Sequence, residues 1–406
     1  MLQSVQIVKT IEERSINKYL ALCLALFVVP ISGLAIDIYV PSLPAITSYF
    51  GVDKSLAQLT ITFYMAGLGL MQLFAGVISD SFGRKKPFLI AMALFILATF
   101  LIPLSASIQQ LLLLRLVQGS AVAMVIVPMR SVLNDLFEGP EYYKKSNYMF
   151  LAWSMGPIVA PMIGGYLQHY FGWQSSFYFL LMYSVIFFIL IFFLMPETSQ
   201  HRHPFRLATS LCRYKQMLLH KEYITGVLMN CLLYSLIILF AVVGPFLIEN
   251  KLHYSPIEFG RVSLLAGLAW FLGGFTNRFL IHIALKKKAV AVFSAMLFIS
   301  VVTLVLGFIM PMSISLIVLP TLLMLYLGGI VFPNNFARGI AFFPKTTGSA
   351  NALFGSLVFL GAGISSGLAT FLKSGTQIPL GIAYVGIIFM CLIVTFIQNQ
   401  KREETL

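Results

Sequence analysis

Apolar runs recur along almost the whole chain from Tyr19 onward, broken only by short polar segments. Each is about as long as the ~20 residues a helix needs to cross the hydrocarbon core of a bilayer. No water-soluble fold can hide so many of them. Hydrophobic residues make up 59% of the sequence and charged residues only 10%, against roughly 25% charged in a soluble domain. The solvent for such a chain is lipid, where backbone groups must be satisfied internally by helices or a closed barrel. The runs are continuous, unlike the alternating segments of about 10 residues that mark a barrel. The expected class is therefore an all-α membrane protein.

Twelve spans can be placed, at about 19–41, 56–78, 87–104, 109–133, 146–168, 174–195, 223–248, 257–284, 289–310, 313–335, 346–371 and 377–397. Most connections are short. The exception, 196–222, is basic (Arg202, Arg206, Arg213, Lys215, Lys221) and carries His201, His203 and His220. It divides the chain into an N-terminal bundle of six spans (1–195), a linker (196–222) and a C-terminal bundle of six (223–406).

The Lys and Arg residues settle on one set of loops: the N-tail, Arg84-Lys85-Lys86, Lys144-Lys145, the linker, Arg278 with Lys286-Lys287-Lys288, Arg338 with Lys345, and Lys401-Arg402. Only Lys54, Lys251 and Lys373 fall on the other set. By the positive-inside rule both termini are expected in the cytoplasm, with the chain in the bacterial inner membrane. The net charge of +13 is then a topology signal and implies no nucleic-acid partner. The polar start (Lys9, Glu12, Glu13, Arg14, Lys18) precedes a run too long for a signal peptide, so no cleavable leader is expected. Cys23, Cys212, Cys231 and Cys391 have neither disulfide-framework nor metal-ligand spacing.

Few polar residues interrupt the spans. Asp37 is read as the only acid well inside an apolar run. A carboxyl there is costly and marks an ion or proton pathway by default; the competing reading places it at the outer end of its helix, in water. Arg115 and Gln118, three apart in the fourth span, share a helix face. A guanidinium at that depth needs a partner or an aqueous cavity, and Asp37 is the expected partner; the alternative is snorkelling to the headgroups. Arg130, Asn134 and Asp135 read as a helix end meeting the cytoplasm, or as partners of the loop that carries Asp80. Tyr39, Tyr64, Met149, Pro157, Asn230 and Tyr234, with Gln118, are expected to line a substrate cavity. Each could equally serve interhelical packing or hydrogen bonding.

Two stretches read as moving parts. Gly76, Asp80, Gly83, Arg84 and Lys85 form a tight charged turn after the second span, expected to act as a latch on the cytoplasmic side. A weaker copy, Gly273 to Asn277-Arg278, stands at the matching place in the second half, as the repeated halves of secondary transporters would place it. Gly156, Pro157, Pro161, Gly164 and Gly165 put helix-bending and small residues into the fifth span, a gate. No HExxH, GxSxG, Walker A or CxxC pattern occurs. The chain is therefore not read as an enzyme, and no cofactor or metal is expected.

These motifs resemble those of the major facilitator superfamily and, within it, the Bcr/CflA-type twelve-span drug:proton antiporters, over essentially the whole chain. The loop signature Gly-x-x-x-Asp-x-x-Gly-Arg-Lys matches Gly76 to Lys85, Arg-x-x-Gln-Gly matches Arg115 to Gly119, and Asp-x-Tyr-x-Pro matches Asp37 to Pro41. The antiporter signature of the fifth span matches Gly156-Pro157 and Gly164-Gly165. Lesser matches are Phe171-Gly172-Trp173, Pro196-Glu197-Thr198 and Pro333-Asn334. The resemblance implies the major facilitator fold, two six-helix bundles related by a pseudo-two-fold axis along the membrane normal. It also implies alternating access, proton uptake at Asp37 supported by Arg115, and efflux of small amphipathic molecules. Some multidrug relatives carry a second acid about two turns before this Asp; here that position is Val29. The expected partners are a small-molecule substrate, protons and the lipid bilayer, with a monomer as the working unit. Proton-driven uptake of a nutrient or chelate, and a non-transporting receptor, are the alternatives.

Overall fold

The structure, a computed structural model, describes residues 18–199, 205, 207–372 and 375–398. His201, His203, Arg202, Arg206, Lys373, Lys401, Arg402 and the charged N-tail through Arg14 lie outside the described residues. Among those described, 12 helices are long and apolar enough to cross a membrane. They are α1 (Lys18–Phe50), α2 (Lys54–Phe82), α3 (Lys85–Leu104), α4 (Ile108–Leu136), α5 (Gly139–Phe171), α6 (Gln174–Leu194), α7 (Lys221–Lys251), α8 (Pro256–Leu280), α9 (Leu285–Ile309), α10 (Ile314–Ala341), α11 (Thr347–Ala369) and α12 (Ile378–Ile397).

Several helices outrun the apolar stretches that announce them. Hydropathy sees only the part of a helix matched to the hydrocarbon core, whereas α4 and α5 continue through polar turns such as Asn134-Asp135 and Glu141. Their starts are set by local chemistry. Ser107 and Ser313 accept backbone N–H bonds at the heads of α4 and α10. Ser255 and Glu258 form a capping box ahead of α8, with Pro256 in its first turn. The first span ends later than position 41: a 3-10 turn at Val40–Ser42 interrupts α1, which then resumes as Leu43–Phe50. Pro41 and Pro44 sit at the first turns of these segments, where a missing N–H costs nothing.

The pairing of helices repeats between the halves. In the first half α2 packs along α4; in the second, α8 packs along α10. Two seams join the halves, α5 against α8 and α2 against α11, and small residues make both close. A Cβ on Gly260 would stand 2.7 Å from the Pro161 carbonyl oxygen, and one on Gly165 2.5 Å from that of Pro256. On the other seam Ser356 Oγ donates to the Gly69 carbonyl at 2.6 Å, and Thr62 Oγ1 to Ser366 Oγ at 3.0 Å. This is how helices associate where lipid removes any hydrophobic advantage to burial.

The linker contains a helix, Leu207–Leu218. Its apolar face turns inward through Tyr214 and Met217, and the Tyr214 hydroxyl donates to the Leu73 carbonyl of α2 at 2.9 Å. Tyr214→Phe deletes that bond and should cost about 1 kcal/mol, read as a lower melting temperature and faster proteolysis of the linker. Unchanged values for both would show that the contact contributes nothing.

Candidate functional site

A cavity of about 400 Å³ lies between the halves, walled mainly by α5, α7, α8 and α10. Its wall runs from Asp37 and Pro161 at mid-depth to Phe150, Phe275, Arg278 and Pro333 near the helix ends that carry the basic loops. At the opposite end the Gly165 and Gly260 contacts close α5 onto α8. The protein is therefore captured with its cavity reaching toward the basic end and sealed at the other. The lining is aromatic and aliphatic, with Trp153, Trp270, Phe240, Phe271 and Phe332 prominent. Among the described residues, Asp37 is its only carboxylate and Arg278 its only cation.

Asp37 reaches the wall because α1 is broken around it. The α-helical segment Ile31–Asp37 ends there and the 3-10 turn follows, with the whole stretch buried. Arg115 stands behind the wall with no solvent exposure, which excludes snorkelling. Its guanidinium lies between the rings of Tyr39 and Tyr64, 4.3 Å from each centroid. Nη1 donates to the Ala35 carbonyl at 3.1 Å and to Gln118 Oε1 at 2.5 Å, and Gln118 Nε2 passes the chain on to Thr99 at 2.7 Å. Nε and Nη2 are buried without hydrogen-bond partners among the described residues. Among the described residues no ion pair within 4.0 Å joins Arg115 to Asp37, so the direct pairing expected from the sequence gives way to stacking. The charge still acts on Asp37 through space. The Ala35 carbonyl that it grips is two residues before Asp37, so Arg115 fixes the broken segment that presents the acid.

The planar guanidinium suits a slot between two rings, and a desolvated cation–π contact is worth roughly 2 kcal/mol. Arg115→Lys keeps the charge but loses the plane and the fork. It should lower stability by about 2 kcal/mol, measured by thermal unfolding in detergent; a variant as stable as wild type would show that only the charge matters.

A profile of the Major Facilitator Superfamily matches residues 25–366. The chain belongs to the major facilitator superfamily. It is a multi-pass membrane transporter and not an enzyme. The MFS-type transporter YdgK of Bacillus subtilis (strain 168) is 30% identical over 89% of this chain and 91% of its own. The bicyclomycin resistance protein homolog of Haemophilus influenzae is 27% identical over 85% and 87%. Multidrug resistance protein D of Escherichia coli (strain K12) is 27% identical over 91% and 92%. These relatives agree with the Bcr/CflA-type resemblance. Among solved structures, the crystal structure of the human organic anion transporter MFSD10 (TETRAN) superposes with a TM-score of 0.67 at 18% identity, over 93% of this chain and 99% of that one. That likeness shows the fold.

Of the residues expected to line the transporter's cavity, Pro157 and Tyr234 are on its wall. Tyr39, Tyr64, Gln118, Met149 and Asn230 are not; all five are buried in the packing behind it. Tyr64 donates to the Ser32 carbonyl at 3.2 Å, Tyr39 shares a bond with Thr60 at 3.0 Å, and Asn230 donates to the Phe332 carbonyl at 3.3 Å. Polar groups in a lipid-facing chain find partners before they find solvent. In the fifth span, Gly164 and Gly156 accommodate the backbone of α1 at Ile38 and Pro30, while Pro161 and Gly165 meet α8.

The charged turn of the superfamily is assembled within the first half. Arg84 Nε and Nη2 take both oxygens of Asp135 at 2.9 and 3.2 Å, and Nη1 takes Asp80 at 2.5 Å and Ser79 Oγ at 3.0 Å. Glu197 accepts the backbone N–H groups of Arg84 and Lys85 at 2.8 and 3.2 Å, and Thr198 donates to Asp135 at 2.9 Å. Lys85 Nζ donates to the Phe192 carbonyl at 2.9 Å. Gly83 has φ of 91°, a conformation that favours glycine, and a Cβ there would stand 2.5 Å from Glu197 Oε2. Gly76, by contrast, has open space around its Cα. Arg130 stacks over Trp153 at 5.5 Å, and Asn134 is exposed.

Sequence reasoning missed several features. Trp153 and Trp270 on the wall carry no motif, though a tryptophan in mid-span rather than at an interface is a usable signal, and Arg278, read only as part of the repeated turn and its basic loop, is on the wall as well. Glu249 is a further acid of a spanning helix, near its end rather than well inside: α7 runs on to Lys251, and Glu249 Oε1 is buried without a partner among the described residues.

Proposed function

We propose that the protein is a proton-coupled antiporter that exports small amphipathic molecules by alternating access. It works as a monomer in the bacterial inner membrane with both termini in the cytoplasm, as the bias of Lys and Arg toward one set of loops favours. The observation that carries the reading is a single carboxylate, Asp37, on the wall of an otherwise apolar aromatic cavity. Such a cavity suits hydrophobic compounds of drug size, and an acid there can exchange a proton as its access to water alternates. Ionised Asp37 accompanies substrate entry from the basic end. The halves then rock, and a proton from the opposite side neutralises Asp37 and releases the substrate. Arg115 supports the cycle by holding the Ala35–Asp37 segment. Relatives named for bicyclomycin and multidrug resistance are in keeping with export.

The test is flux of a panel of dyes and antibiotics in proteoliposomes under an imposed pH gradient. Export reads as gradient-driven depletion from the cytoplasmic side. Accumulation there would replace export with uptake, and flux indifferent to the gradient would remove proton coupling.

A further inference from the structure

The second half repeats the Asp80–Arg84–Asp135 cluster with its acids replaced. Asn277 stands at the end of the Gly-x-x-x repeat as Asp80 does, and Asn334 of α10 meets it as Asp135 of α4 meets the first turn. Asn334 Nδ2 donates to Asn277 Oδ1 at 2.8 Å, and Asn277 Nδ2 to Asn334 Oδ1 at 3.2 Å. The buried Lys288 completes the set, its Nζ donating to Asn277 Oδ1 at 2.7 Å and to the Leu280 carbonyl at 3.3 Å. The geometry survives, but the negative charge is gone.

Among the described residues, nothing nearby restores it. There is no Asp or Glu between Glu258 and Glu403. The acid at the head of α7, Glu222, is taken by Arg338 at 2.6 Å. Arg278 is exposed and rests over Phe275 and Phe279, 4.9 and 5.6 Å from their centroids, and Lys287 is exposed as well. Beside these cations Phe279 and Ile281 are 62% and 77% exposed. Arg278 and Lys287, with no ion pair to a carboxylate among the described residues, next to bare apolar side chains at the end of a membrane span, match the two parts of an anionic lipid.

We propose that the α8–α9 turn docks an anionic phospholipid, its phosphate on Lys287 and on Arg278 at the mouth of the cavity, and its acyl chains along Phe279 and Ile281. Lys288 adds charge from behind. The matching turn of the first half, neutralised by Asp80 and Asp135, has no such need. Because α8 also forms a seam and a cavity wall, the lipid bears on where that helix stands.

The test is native mass spectrometry of the full chain in detergent, titrated with phosphatidylglycerol or phosphatidylcholine. Phosphatidylglycerol should bind preferentially. Each charge removed should weaken it about fivefold, so Arg278→Gln with Lys287→Gln should lose about 30-fold, while Lys86→Gln on the first half's turn should match wild type. If the double variant does not fold, Lys287→Gln alone carries the comparison. Equal binding of the two lipids, an unaffected Lys287→Gln, an equal loss in Lys86→Gln, or displacement of the lipid by soluble glycerol phosphate at equal concentration would overturn the assignment.

Discussion

Asp37→Asn should abolish gradient-driven flux while leaving a folded protein. Asparagine keeps the size and much of the polarity of the side chain but has no proton to exchange. Coupling between two sites rarely exceeds about a hundredfold, and loss of that order is expected in uphill transport. Exchange of substrate without a gradient should persist, since the aromatic wall is untouched. Stability should hold as well: Arg115 rests on Tyr39, Tyr64, Gln118 and the Ala35 carbonyl, none of which the substitution removes. That separation makes the experiment decisive. A variant that drives substrate uphill as well as wild type would move the proton to another group, and Glu249, with its buried unpartnered oxygen, would be the next to substitute.

The spans were legible because each must supply its own apolar length, a property of consecutive residues. The charged turn was legible too, since Gly83 and Arg84 owe their identity to a positive φ and to carboxylates that pack on one short loop. What brings Asp135 and Glu197 to that loop is tertiary, and their spacing in sequence gives no sign of it. The cavity wall was less readable still. Tyr64 and Asn230 are polar residues in spans, the usual mark of a pathway, yet neighbouring backbone carbonyls claim both. Phe240, Phe332 and Trp270 face the cavity, and nothing in their local sequence separates them from aromatic residues that face lipid. Arg115 and Asp37 look like a pair because each lacks any other charge at its depth. Two tyrosine faces hold the guanidinium instead, a solution that requires knowing the orientation of three helices.

Gly260→Leu should trap the transporter away from the conformation seen here. A Cβ at that position would meet the Pro161 carbonyl oxygen at 2.7 Å and Met162 Cα at 3.1 Å, both main-chain atoms that no rotamer can withdraw. A leucine therefore wedges α5 from α8 at the sealed end. Overpacking of this kind costs about 1–3 kcal/mol, and the cost falls only on the state in which the seam is shut. An equilibrium between two states of similar energy would then shift about 5- to 150-fold toward the one open at that end. The shift can be followed with a cysteine at Ser154 on the cavity wall, in a background lacking the four native cysteines. Labelling by an impermeant thiol reagent should fall from the basic side and rise from the opposite side, and driven flux should collapse with it. Gly76→Ala, placed where a Cβ has open space, should change neither reading. Labelling of the Gly260→Leu protein that stays as in wild type from both sides would mean that the α5–α8 contact is not a moving seam, and the alternating-access reading would lose its physical gate.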